Sequence, residues 1–409
     1  MIIKLLLEYQ RLTGQSKFML NTEFSPWPSY TQEEADAVSN VLLSNKVNYW
    51  TGTECREFEK EFANWCESKY AIALMNGTVA LDLTLKVLGV GVGDEVIVTS
   101  RTFLASVSSI INSGASPIFA DVSPESQNIT PNSIREKITS KTKAVICVHL
   151  AGWPCDMDGV MKLADEFGLY VIEDCAQAHG AKYKNKPVGS IGHIGAWSFC
   201  QDKIMTTGGE GGMVTTNDHS LWSTMWSYKD HGKSWEAVYE KEHPPGFRWL
   251  HDSFGTNWRM TEMQAVIGRL QLKRMTEWTK TRNQNAEKIW NTARQFSALR
   301  VPDIPVFIQH AAYKCYIFVD YSRLKSDWDR DRIMAEINKS GVPCYSGTCS
   351  EVYLEKAFEN SGYRPNERLP IAKELGESSL MFLVHPTLTD EEINKTCKAL
   401  ESVMLQAAV

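Results

Sequence analysis

Asp174 and Lys203 are the side chains of this sequence whose types and settings together suit a chemical step. Asp174 lies in the run Val171-Ile172-Glu173-Asp174-Cys175-Ala176-Gln177, just past the apolar residues Tyr170–Ile172. That places a carboxylate at the carboxyl end of a buried strand, where ligands collect in open α/β sheets. Lys203 closes Ser198-Phe199-Cys200-Gln201-Asp202-Lys203 and precedes Thr206-Thr207-Gly208-Gly209-Glu210-Gly211-Gly212. A lysine able to form a Schiff base and an aspartate able to pair with a pyridinium nitrogen are the two groups that pyridoxal 5'-phosphate (PLP) chemistry requires. Separately, the lysine reads as a surface charge and the aspartate as a loop cap. Together they point to a cofactor site in which Lys203 serves as general base and acid.

Other residues fall on the same strand-end surface. Asn76-Gly77-Thr78 joins an apolar strand to a helix, so Gly77 and Thr78 would offer backbone amides and a hydroxyl to a phosphate at a helix N-terminus. The same tripeptide also suits a simple turn with a threonine cap. Phe103 follows a strand and opens a helix, a position for a ring stacked on the cofactor or for a core phenylalanine. Gln177 and Ser198 are candidates for the cofactor hydroxyl and phosphate. Gly89-Val90-Gly91-Val92-Gly93 follows a helix and precedes a strand, the reverse of a dinucleotide fingerprint. The run Gly208–Gly212 lacks the Gly-Lys-Ser/Thr ending of a nucleotide P-loop and reads as backbone freedom near the cofactor.

The elements that must position these groups are readable between residues 70 and 215, where short apolar runs alternate with amphipathic segments. Strands are expected at Ala71–Met75, Glu95–Thr99, Pro117–Val122, Ala144–Leu150, Leu169–Glu173, Ala196–Phe199 and Gly212–Thr216, and helices at Val79–Leu88, Phe103–Ser113, Asn132–Ile138 and Met157–Phe167. This is the pattern of a largely parallel sheet covered by helices. A long helix from Glu262 through Lys280 should leave this unit for a smaller α+β one, with a strand at Cys315–Tyr321 and helices at Trp328–Lys339 and Asp390–Leu405. The expected division is an extension over 1–22, a large α/β domain over 23–260, and the long helix with a small C-terminal domain over 261–409. The segment 23–65 is expected to fold back on the small unit.

A chain of 409 residues with 22% charged and 43% hydrophobic residues has the composition of a globular protein, and its net charge of −6 gives no general reason to expect nucleic acid or an anionic membrane as partner. An anionic ligand must therefore meet a local cluster. Lys229, His231 and Lys233 form one. The ten cysteines make no CxxC pair or Cys/His ladder, so neither a zinc site nor a disulfide framework is expected, and reduced cytoplasmic thiols fit. The apolar start Met1–Leu7 is too short for a membrane span.

Asn76-Gly77-Thr78, Asp174 to His179-Gly180, Ser198 to Lys203, Gly209–Gly212 and Gly255-Thr256-Asn257-Trp258-Arg259-Met260 occur in an order and spacing that resemble the DegT/StrS-type sugar aminotransferases, from about Trp50 to the C-terminus. The resemblance implies a fold-type I aminotransferase, with a large α/β domain on a mostly parallel sheet and a smaller α+β domain. It implies a homodimer, with PLP as cofactor and glutamate as amino donor. Carried over, Lys203 is the Schiff-base lysine, Asp174 the pyridinium partner, Gln177 the contact to the ring hydroxyl, and Phe103 the stacking ring. Gly77, Thr78 and Ser198 hold the phosphate, and Asn257 reaches the cofactor of the partner subunit. Gln201-Asp202 departs from the small or hydroxyl residues more usual before the lysine.

The stretch Ser346–Glu355 looks most like members that aminate C4 of a dTDP-4-keto-6-deoxyhexose for surface polysaccharide. The implied substrate is such a nucleotide-linked sugar, with Lys229, His231, Lys233 and Tyr345 as candidate contacts. The alternatives are amination of a 3-keto sugar, or a non-catalytic PLP-binding regulator of the same fold. A dehydratase of this fold would carry histidine where Lys203 stands.

Overall fold

The computed structural model describes residues 24–409; the extension expected over 1–22 lies outside them. Seven strands form the main sheet: β1 (Tyr70–Leu74), β2 (Glu95–Thr99), β3 (Ser116–Ala120), β4 (Thr142–Val148), β5 (Tyr170–Asp174), β8 (Ile194–Ser198) and β9 (Gly212–Thr216). Their spatial order is β1-β9-β8-β5-β4-β2-β3, with β9 antiparallel to both neighbours and the rest running one way. Two short strands, β6 (Lys182–Tyr183) and β7 (Lys186–Pro187), lie between β5 and β8 in the chain.

Side-chain alternation explains why the strands read as continuous apolar runs. In β4, Ala144, Ile146 and Val148 enter one core cluster while Val145 and Cys147 enter another on the opposite face. The same division separates Ile72 and Leu74 of β1 from Ala71 and Ala73. A strand buried on both faces has no polar side to show. One face is covered by α3 (Gly77–Val87), α4 (Ala105–Asn112) and α7 (His219–Lys229). On the other, α2 (Glu54–Trp65) sets Phe58 and Phe62 against Trp197 and Phe199, and α6 (Met157–Phe167) buries Met157, Val160 and Leu163. The short helices α5 (Pro131–Arg135) and α8 (Trp235–Tyr239) complete this region.

Helix α9 (Glu262–Ala293) runs 32 residues and joins two cores. Ala265, Leu272 and Met275 pack under the main sheet, whereas Ala286, Ile289, Trp290 and Ala293 pack under a second sheet. That sheet has the order β10 (Leu299–Arg300), β12 (Cys315–Val319), β14 (Ser379–Phe382), β13 (Cys344–Tyr345), all antiparallel. Helices α10 (Arg330–Lys339), α11 (Pro370–Ser378) and α12 (Asp390–Ala407) surround it, and β11 (Ile308–Gln309) pairs with β6.

The segment expected to fold back on the small unit divides. Phe24 joins the core under the second sheet and the Ser25 hydroxyl donates to Glu392 at 3.0 Å, but α1 (Gln32–Leu43) lies along α9 and α2 belongs to the core of the main sheet. Its aromatic face, Phe58 and Phe62, is what holds α2 there.

Candidate active site

The chain leaves β1, β2, β5 and β8 at one edge of the main sheet, and each exit carries a residue singled out by sequence. After β1, the Asn76 side chain caps α3 by accepting the Val79 amide at 2.9 Å. The cap is thus Asn76, so the exposed Thr78 hydroxyl is not spent on it. The first-turn amides of Gly77 and Thr78 have no partner within the helix. A Cβ built on Gly77 would stand 2.5 Å from the Ser198 Cβ, so only glycine lets this turn approach the end of β8. Gly77, Thr78 and Ser198 therefore form one cradle with free donors.

Asp174 is the last residue of β5 and is buried. Its carboxylate accepts the Ser106 hydroxyl at 2.7 Å and the Ala176 amide at 3.2 Å, and Ser106 is itself fixed by Thr102 at 2.9 Å. Burial raises its pKa above the usual carboxylate value, against the pull of Ser106, Ala176 and Lys203. A cation placed against it would reverse that. Phe103 projects from the exit of β2, 69% exposed, with its ring faces uncovered by the core. Gln177 is held through its side-chain carbonyl, which accepts the Ala151 amide at 2.9 Å.

Lys203 sits in the turn after β8 with its backbone fixed on both sides. Its amide donates to the Cys200 carbonyl at 3.0 Å and its carbonyl accepts the Trp27 indole at 2.8 Å. Its ammonium lies 3.4 Å from Asp202 and 5.3 Å from the ring centre of Tyr313. The Tyr313 hydroxyl donates to Asp202. Burial and the neighbouring Asp202 push that phenol well above 10, keeping it a donor.

Several members of this arrangement were not evident from sequence. Glu173 is fully buried and accepts four donors: the Gly189, Ile191 and Gly192 amides at 2.8, 2.8 and 2.6 Å, and His149 Nε2 at 2.9 Å. The Cys155 amide donates to His149 Nδ1 at 3.0 Å, which assigns the ring proton to Nε2. Burial pulls the Glu173 pKa up, but His149 and the amides outweigh it and hold the group below the usual carboxylate range. The side chain pins the β7–β8 connection beneath Asp174. His149, Glu173 and Cys175 lie within 4.8 Å of one another, but both histidine nitrogens are in use and both Glu173 oxygens already accept two hydrogen bonds each, so the cluster is structural rather than a metal centre.

The proposed basic cluster is corrected by the structure. Lys229 is wholly buried, 3.0 Å from Glu59 and 3.9 Å from the ring centre of Tyr49, so its charge is consumed inside the core. Lys233 pairs with Asp230 at 3.2 Å and lies over Trp50 at 4.1 Å. His231 alone is exposed, at a positive φ of 60°. Tyr345 is in β13 of the second sheet, its phenol pushed up to about 12 by burial. The four do not form one anion-binding surface. Asn257 is exposed on a loop bridged to Asp230. The cap of α9 is Thr261, so Asn257 does not serve that helix.

Residues 28–401 match the profile of the DegT/DnrJ/EryC1/StrS aminotransferase family, and the chain belongs to it. An aminotransferase from Psychrobacter cryohalolentis has a similar solved structure, with 65% sequence identity and a TM-score of 0.92 over 93% of this chain and 99% of that one. Among curated proteins, GDP-perosamine synthase of Vibrio cholerae is 40% identical over 92% of this chain and 97% of its own length. The dTDP-3-amino-3,6-dideoxy-alpha-D-galactopyranose transaminase of Aneurinibacillus thermoaerophilus is 32% identical over 90% and 95%. Enzymes of this family depend on PLP. The residues here fit that cofactor: a cradle that a Cβ at position 77 would fill, a buried carboxylate with no cation in contact, and a lysine amine anchored near it.

Proposed function

We propose that this member of the family carries an amino group from glutamate to the keto carbon of a nucleotide-linked sugar, most specifically a dTDP-4-keto-6-deoxyhexose, yielding a 4-amino sugar for surface polysaccharide. The observation that supports the transamination is the convergence of Asp174, Lys203 and the Gly77–Thr78–Ser198 cradle at the carboxyl ends of β1, β5 and β8; the C4 dTDP sugar rests on the Ser346–Glu355 resemblance. The reading that family membership carries is the coarser one, a sugar aminotransferase of nucleotide-sugar biosynthesis.

Gly77, Thr78 and Ser198 would hold the cofactor phosphate by amides and hydroxyls at the positive end of α3. Asp174, kept in place by Ser106 and Ala176, would keep the proton on the ring nitrogen. Phe103 would cover one ring face, and Gln177 would present its amide nitrogen to the ring hydroxyl. When bound, PLP supplies the electron sink for charge developing at the reacting carbon. The Lys203 amine takes the proton from the donor carbon and later returns one to the sugar carbon. Trp27, by fixing the lysine backbone, and Asp202 with Tyr313, by holding its Nζ, set where that proton travels. Asn257 would complete the site of a partner subunit.

The relatives also favour a second reading. The A. thermoaerophilus protein is named for a 3-amino sugar and an Acidithiobacillus ferrooxidans relative for amination of a 3-dehydro UDP sugar. Incubation with glutamate and a panel of dTDP-, UDP- and GDP-linked 3-keto and 4-keto sugars, followed by mass spectrometry, separates the two. A 4-amino dTDP product supports the specific reading, a 3-amino product replaces it, and glutamate left unconsumed with every sugar refutes aminotransfer itself.

A further inference from the structure

Against the same tyrosine ring as Lys203 lies a second lysine that the proposed chemistry does not use. Lys314 precedes β12, is only partly exposed, and has its ammonium 4.8 Å from the ring centre of Tyr313. This is the same ring that Lys203 approaches at 5.3 Å. No carboxylate among the described residues lies within ion-pair distance of Lys314. Asp202, the acid whose charge acts on it, is already shared by Lys203 and the Tyr313 hydroxyl.

Arg282 adds a third cation. It is buried in α9, its Nη1 donates to the Tyr313 carbonyl at 3.5 Å, and its guanidinium lies 4.8 Å from the Trp27 ring centre. Its Nε and Nη2 are buried without a hydrogen-bond partner, as is His385 Nε2, whose ring stacks on the same Trp27. Three cations and one carboxylate therefore meet around Tyr313, a charge excess held in place at a cost. Burial, with Arg282 and Lys203 nearby and Asp202 opposing, brings the Lys314 pKa down to about 8. At neutral pH the group remains mostly an ammonium.

We infer that Lys314, backed by the field of Arg282, is the contact for the α-carboxylate of the amino donor. The inference rests on the aminotransferase reading. Chemistry selects the ligand: in an amino acid the carbon that bears the reacting amine also bears a carboxylate, whereas in a nucleotide-linked keto sugar the phosphates are several bonds from the reacting ketone. An anion that reaches a cation beside Lys203 therefore arrives with the donor. In the other half-reaction the same ammonium faces neutral sugar hydroxyls, to which it can donate.

The test uses holoenzyme and 2-methylglutamate, which keeps both carboxylates of glutamate but has no proton to lose at the reacting carbon. Its affinity is measured by calorimetry for wild type, Lys314→Met and Lys314→Arg, beside the affinity for dTDP, UDP and GDP. The expected result is at least a tenfold loss of 2-methylglutamate affinity in Lys314→Met, partial recovery in Lys314→Arg, and nucleotide affinities within twofold of wild type. Unchanged 2-methylglutamate binding in Lys314→Met overturns the assignment, and so does an equal loss for donor and nucleotide. A wild type that binds no amino donor removes the aminotransferase reading itself. Thermal unfolding of Lys314→Met at or above the wild-type midpoint shows that the variant is folded.

Discussion

Replacing Glu173 with glutamine removes one charge and changes almost no volume, yet it should be among the most damaging single substitutions in the large sheet. Oε1 receives the Ile191 and Gly192 amides, and Oε2 receives Gly189 and His149. A glutamine has one oxygen and one NH2, so in either orientation two of the four donors meet a donor. Two buried donors left unsatisfied, together with the loss of charge-assisted bonds, amount to about 3–5 kcal/mol. That is a large part of a typical folding free energy of about 5–15 kcal/mol. Equilibrium denaturation of the holoenzyme at pH 7 measures it. The sign with pH is fixed by the direction of the shift: a carboxylate held below its ordinary 4.5 contributes stability above that value and loses it as pH falls through the folded pKa. The gap between wild type and Glu173→Gln should therefore narrow in acid. A loss under about 1 kcal/mol at pH 7 would refute the four-donor account, as would a loss that does not change with pH.

Other substitutions probe the cofactor end of the site. Gly77→Ala forces α3 away from Ser198, and the loss of one or two charge-assisted contacts to phosphate should weaken PLP binding by about tenfold to a few hundredfold, read by absorbance titration of the apoenzyme; affinity within twofold of wild type would contradict the cradle. Borohydride reduction of the holoenzyme should leave the cofactor on a peptide containing Lys203, and label recovered on Lys314 instead would exchange the roles of the two lysines. Lys203→Ala should fold normally and lose at least about 10²–10⁴-fold in turnover, measured with the preferred keto sugar. Mixing Lys203→Ala with Asn257→Ala should restore activity if each site draws on two subunits, and confirmed mixed dimers no more active than their parents would exclude sharing.

The main sheet was legible because its strands are buried on both faces and separated by helices whose ends carry turn residues. All seven were located from apolar runs, each boundary to within two residues, and one of the two-residue offsets has a cause: β8 begins at Ile194 rather than Ala196 because Gly195, which reads as a breaker, sits where a Cβ would stand 2.5 Å from the Thr215 hydroxyl. The second sheet was less legible. Of its four strands only β12 carries a long enough run; β10 and β13 are two residues each and exist through pairing with distant partners. Helices α1, α2 and α7 were less legible because each buries only two to four of its residues, although the Thr31–Glu34 capping box marks the start of α1 and the Asp218 cap that of α7.

The site divides along the same line, between what a residue is and where its charge is spent. Asp174, Gly77, Ser198 and Phe103 could be placed on one strand-end surface from sequence because each lies at or a few residues past the end of a strand, so sequence distance and spatial distance coincide. Lys229 misled because a lysine in sequence carries no sign of burial, and its partner Glu59 is 170 residues away. Lys314 and Arg282 escaped for the converse reason: nothing local tells that their positive charge goes unanswered, since the statement concerns every acid that could reach them. Unspent charge is a property of the folded chain alone. A chain that buries Lys229 against Glu59 and Tyr49, and sets Lys233 between Asp230 and Trp50, can compensate its cations, so the uncompensated excess around Tyr313 is the feature on which the donor-carboxylate assignment rests.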